Sequence, residues 1–169
     1  MRRRTVIVMT GVVLAGCGFR PLYGRPDAED GVAGLALVTV GEIETQRDDD
    51  RIGQILRNEL DTLTRSPGAV RPARFRLEVR LSSTASPLAI SSDDTITRYN
   101  VILEADVRLI ALETQAVVYR ATNRAVGSYD VQQTEYGTHI AERATREDVA
   151  RDLAQRIAAM VGALLAQGR

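Results

Sequence analysis

Between residues 74 and 124, apolar and polar side chains alternate in three separate runs. In the first, Phe75, Leu77, Val79 and Leu81 fall on one side and Arg74, Arg76, Glu78 and Arg80 on the other. In the second, Tyr99, Val101, Leu103, Ala105, Val107 and Leu109 alternate with Arg98, Asn100, Ile102, Glu104, Asp106 and Arg108. In the third, Val117, Tyr119 and Ala121 alternate with Val118, Arg120, Thr122 and Arg124. A period of two belongs to a strand with one buried face and one wet face. Glu113-Thr114-Gln115 forms a tight turn between the second and third runs. Ser82 to Thr97, polar and containing Pro87 and Asp93-Asp94, reads as a long connection or an extended hairpin end. The three runs predict an antiparallel meander.

On either side the pattern changes. Leu35 to Val40 is short and rich in β-branched residues, which predicts a strand. After Asp48-Asp49-Asp50, Ile52, Ile55, Leu56, Leu60 and Leu63 recur at spacings of three and four, the stripe of one helix face. The acidic run suits a cap and the positive end of a helix, and Ser66-Pro67-Gly68 stops it. From about Gly137 the helical period returns, with Val149, Leu153, Ile157, Met160, Val161 and Leu164 on one stripe. The element order is therefore β-α-β-β-β-α. The expected fold class is α+β: a four-stranded, mostly antiparallel sheet with two helices packed on one face. The other face, rich in Arg and Thr, is left open to water.

The N-terminal segment is of another kind. Met1-Arg2-Arg3-Arg4 precedes about ten apolar residues, a cationic and then greasy order that predicts a secretory signal. That run is shorter than the roughly 20 residues needed to span a bilayer. Leu14-Ala15-Gly16-Cys17 looks like a bacterial lipobox, which implies cleavage before Cys17, diacylglycerol on its sulfur and an acyl chain, such as palmitate, on its new amino group. Two or three such chains give stable anchoring. As the only cysteine, Cys17 has no partner for an intramolecular disulfide. Gly18 at the following position suits transport to the outer membrane. The expected organisation is residues 1–16 as signal peptide, 17–31 as lipidated tether and 32–169 as one domain. All 22 basic residues are Arg, and after loss of the signal 19 Arg face 22 acidic residues, a formal −3. That balance gives no global attraction to nucleic acid, so any anion site is a local patch.

Catalytic chemistry finds little footing. His139 is the sole histidine and Cys17 is consumed by lipid, so neither a zinc cluster nor a Cys–His pair is available. There is no lysine for a phosphate loop, and the Ser pairs at 82–83 and 91–92 lack a nucleophile-elbow setting. No enzyme, metal or cofactor is expected, apart from the covalent lipid.

The lipobox, then Gly18-Phe19-Arg20-Pro21-Leu22-Tyr23-Gly24, then this element order resemble the LPS-assembly lipoproteins of the LptE family. The resemblance implies an outer-membrane lipoprotein held 1:1 in the lumen of a β-barrel partner, LptD, on the periplasmic side. There it acts as a plug and assists insertion of lipopolysaccharide into the outer leaflet. On that reading, outward Arg residues contact lipid A phosphates, since the guanidinium fork matches phosphate. Arg76, Arg98 and Arg120 are the leading candidates, with Arg74 beside them, and Pro87-Leu88 is the segment that enters the partner. The alternatives are an autonomous lipid or glycan carrier with a groove between sheet and helices, or a scaffold lipoprotein with another envelope partner.

Overall fold

A computed structural model describes residues 32–46, 49–65, 72–90 and 96–167. The elements are α1 (Val32–Leu35), β1 (Val38–Glu44), α2 (Asp50–Thr64), β2 (Phe75–Ile90), β3 (Ile96–Ala111), β4 (Val117–Asp130) and α3 (Glu135–Gln167). The strands form one sheet in the order β1-β2-β3-β4, with β1 parallel to β2 and the other two pairings antiparallel. Helix α2 is the crossover that the parallel pair requires. The expected fold class is what the structure shows.

The inner face follows the alternation. Leu77, Val79 and Leu81 of β2 and Val101, Leu103, Ala105, Val107 and Leu109 of β3 are buried almost completely. Leu56 and Leu60 of α2 and Leu153, Ile157 and Val161 of α3 close over them. Ala105, Ala150 and Ala154, all fully buried, leave room for the layers to approach closely. Each fully buried Leu or Ile in this set contributes about 1.5–3 kcal/mol relative to exposure.

Three boundaries are sharper in the structure than in the sequence. Leu35 ends the one-turn helix α1, and β1 begins only at Val38. Gly34 lies against the Leu165 side chain of α3, where an added Cβ would come within 3.0 Å. The chain is therefore pinned to the helix before it enters the sheet. Second, of the two readings of the polar stretch after Leu81 the structure shows the extended hairpin end: strand continues as far as Ile90, and β3 starts at Ile96. Ser82 to Ala89 pair across to Glu104 through Arg98, so the ladder imposes the strand where side-chain pattern does not. Pro87 sits where β1 no longer covers β2, an edge position that needs no outward N–H donor. Third, β4 continues past Arg124 to Asp130, with Ala125 and Tyr129 still on the buried side.

Asp49 has a role other than the expected cap. Its carboxylate makes no cap bond to α2, and it accepts from Arg146 Nη1 of α3 at 3.0 Å in a nearly buried position. Arg146 also reaches Glu142 at 3.1 Å, so the start of α2 is locked to the middle of α3. The side chain near the cap that does bond locally is Asp50, which accepts from Thr45 Oγ1 at 2.8 Å.

Gly127 lies on the inner face of β4 directly beneath α3. A Cβ there would meet Val149 Cγ2 at 2.5 Å and Thr145 Cγ2 at 2.9 Å. Gly127→Val is expected to lower the free energy of unfolding in urea by about 2 kcal/mol, by forcing α3 off the sheet. An exposed control, Ser128→Val, is expected to change it by less than about 0.5 kcal/mol.

Candidate functional site

With α2 and α3 on the inner face, the outer face of the sheet carries the polar half of each alternation. Strand register sets these side chains in rows. One row runs Glu44, Arg80, Asp106, Thr122 across all four strands, and the next runs Glu78, Arg108, Arg120. Most of the charge is neutralised within the face. Arg80 Nε donates to Glu44 at 2.7 Å, and Glu78 accepts from Arg76 at 3.2 Å and Arg108 at 3.1 Å. Thr122 Oγ1 donates to Asp106 at 2.7 Å. Arg98 grips Asp130 with two bonds, 2.6 and 3.2 Å.

These pairs separate the arginines singled out from the sequence. Arg76 is held by Glu78 and Gln115, and Arg98 by Asp130. Arg120 has no ion-pair partner among the described residues, and neither do Arg74 and Arg124. Arg74 lies ahead of β2, where its backbone N–H donates to Leu37 O and its carbonyl accepts from Leu112 N. The set does not form one site. Arg76 pairs with Ile110, and Arg98 lies twelve residues back along β3, roughly 40 Å away at strand rise. Pro87 and Leu88 are exposed, Leu88 by about half, on the upper, one-sided part of β2. Cys17 and the lipobox residues Leu14, Ala15 and Gly16 lie outside the described residues, as does the segment 18–24.

An open depression of about 430 Å³ does form on this face, around Arg80, Asp106, Arg108, Arg120 and Thr122. Arg108 and Arg120 stand directly opposite on neighbouring strands. Like charges so placed repel, and Glu78 relieves only Arg108. An anion seated beside Arg120 would relieve the rest. The sequence named Arg120 but could not single it out, because that needs the partner of every other arginine. A second open depression, about 500 Å³, lies at the other end between β3 and the start of α3, beside Tyr99, Glu135, His139 and Glu142. Tyr99 and Tyr129 stack there with ring centres 5.6 Å apart. Burial, and then the nearby Glu142 charge, raise the Tyr129 phenol above its ordinary pKa. No group of three or more metal-ligating side chains occurs among the described residues. None of their helices is long and apolar enough to cross a membrane.

The architecture defines the class: an α+β domain whose sheet has one face covered by helices and one charged face that no described residue covers. The same fold occurs among solved structures. A Caulobacter crescentus protein described as a lipoprotein is 24% identical, with a TM-score of 0.59 over 80% of this chain and 95% of that one. Rare lipoprotein B of Shewanella oneidensis is 11% identical, with a TM-score of 0.56 over 78% and 100%. A minor lipoprotein of Acinetobacter baumannii is 17% identical, with a TM-score of 0.51 over 76% and 92%. Comparison with curated proteins gives no match. Residues 35–161 match the LptE family, described as lipopolysaccharide-assembly, and the chain belongs to that family.

The Arg98–Asp130 pair makes a pH prediction. The Arg98 hydrogen bond and charge hold the Asp130 carboxyl below the usual carboxylate range and raise the guanidinium in turn. A depressed native pKa contributes stability at neutral pH that is lost as pH falls through it. Carboxyl NMR of the native chain is expected to show Asp130 titrating at lower pH than an ordinary Asp. In Arg98→Ala the midpoint moves up to the ordinary range.

Proposed function

We propose that this chain is the lipid-anchored subunit of an outer-membrane lipopolysaccharide-insertion barrel of the LptD kind, bound 1:1 inside the lumen. It acts there as a plug and contact surface rather than as a catalyst. Family membership over residues 35–161 carries this reading. The one-sided cover of the sheet supports it, because a bare face of Arg, Thr and acidic side chains suits a polar, water-filled lumen. Cys17 bears the acyl chains that hold the domain at the periplasmic side of the membrane. Arg120 meets the anionic groups of lipopolysaccharide on this reading. Arg76 and Arg98 are already engaged by Glu78 and Asp130, so of the three leading arginines Arg120 is the one left for an anion. The carrier alternative needs a cavity between sheet and helices, and that interface is filled by side chains such as Leu56, Leu103 and Leu153.

The test is affinity purification of the C-terminally tagged chain from mildly solubilised outer membranes. A large β-barrel in equimolar amount, retained in high salt, is expected. Elution alone or with a soluble partner would overturn the barrel reading. Two variants sharpen it. Cys17→Ser is expected to abolish labelling with radioactive palmitate and release the chain from membranes. Arg120→Glu is expected to weaken lipopolysaccharide capture by about tenfold, the scale of one lost charge-assisted contact, while Arg120→Lys retains most of it.

A further inference from the structure

Among the described residues the sheet has three stretches of open edge, and they are not alike. Strand β1 is short and is broken by a register shift between Val40 and Ile43. The uncovered upper part of β2 carries Pro87 and two register shifts around Ala89. Breaks and proline of this kind keep an edge from accepting another strand. Strand β4 has no proline, and its one register shift lies at its lower end, where Val118 is passed over between Tyr119 opposite Leu109 and Val117 opposite Ile110. Above that shift it runs in unbroken register for twelve pairs, from Asp130 opposite Arg98 to Tyr119 opposite Leu109, and it contains no lysine. Among the described residues nothing pairs with its far side. Its outward side chains include Val118 and Val126, each about half exposed, on either side of Arg120 and Arg124. Alternate residues of such an edge direct their N–H and C=O groups outward.

We infer that the β4 edge is built to be continued by a fifth strand supplied by the partner protein. The incoming segment carries an acidic side chain opposite Arg124 and an apolar side chain opposite Val126, both within the regular part of the strand. Charge selects a foreign strand over a second copy. In any two-fold self-pairing centred between residues 120 and 124, Arg120 and Arg124 come opposite or diagonal to their own copies. The nearest carboxylate on the strand, Asp130, is already held by Arg98. Arg124 lies outside the depression around Arg120, so a carboxylate at the edge and an anion on the face do not compete for one group. This inference rests on the barrel-partner reading, and it locates the contact.

Amide hydrogen exchange of the full chain, free and in the complex co-purified from outer membranes, tests it. Alternate amides of residues 117–130 are expected to slow by at least about tenfold on complex formation, while those of β1 do not change. Arg124→Glu is expected to reduce retention of the barrel by about tenfold with its melting temperature unchanged, and Arg124→Lys to restore it. Co-purification of the barrel with unchanged β4 exchange would overturn the strand addition and leave the function standing. Absence of any barrel would instead overturn the function, and with it the occupant named here. Slow β4 exchange already present in the free chain, as a symmetric dimer or a monomer, would also overturn the inference, since the edge would then be filled without a partner.

Discussion

A sheet presents two faces, and this chain supplies helices for one of them. Much else follows from that limit. Inward positions on β2, β3 and β4 must be apolar because α2 and α3 close over them. Outward positions must satisfy their charges on the open face itself. The chain does so with short ion pairs set by register: Arg80 to Glu44, Arg108 to Glu78 and Arg98 to Asp130. Such exposed pairs add little stability individually. Their importance lies in what they leave over, because they distinguish committed arginines from the few that remain available.

Much of the fold was legible in the sequence because two periodicities carry it. The alternation from Phe75 to Leu81 and from Tyr99 to Leu109 placed β2 and β3 and assigned their faces correctly. The stripe from Val149 to Leu164 placed α3. Legibility failed where pairing rather than burial makes the structure. Ser82 to Ile90 has no alternation to read, and it is a strand because Ile96 to Glu104 lies beside it in register. Leu35 to Leu37 looks like strand by composition, yet Leu35 closes α1 and the two residues after it form the turn into β1.

The candidate site was legible in kind but not in detail. The residue types were apparent, and so was the face they share. Which arginine is free was not, because the answer depends on partners far along the chain, such as Gln115, 39 residues from Arg76, and Asp130, 32 residues from Arg98. Asp49 makes the same point at longer range. As one of three aspartates before a helix it reads as a cap, yet its partner Arg146 is 97 residues further on. Local sequence contains no sign of that bond.

The position of α3 in the chain also constrains how the molecule assembles. Its core-facing residues, Val149 to Val161, follow every strand they cover. A chain that emerges N-terminus first can form the local β2-β3-β4 meander early, since those contacts close short loops. Until residue 161 is free, however, α2 alone is available to cover the apolar side of that meander, and the part under α3 stays open. An emerging chain of this design needs either shelter for a greasy sheet or rapid release of its last helix.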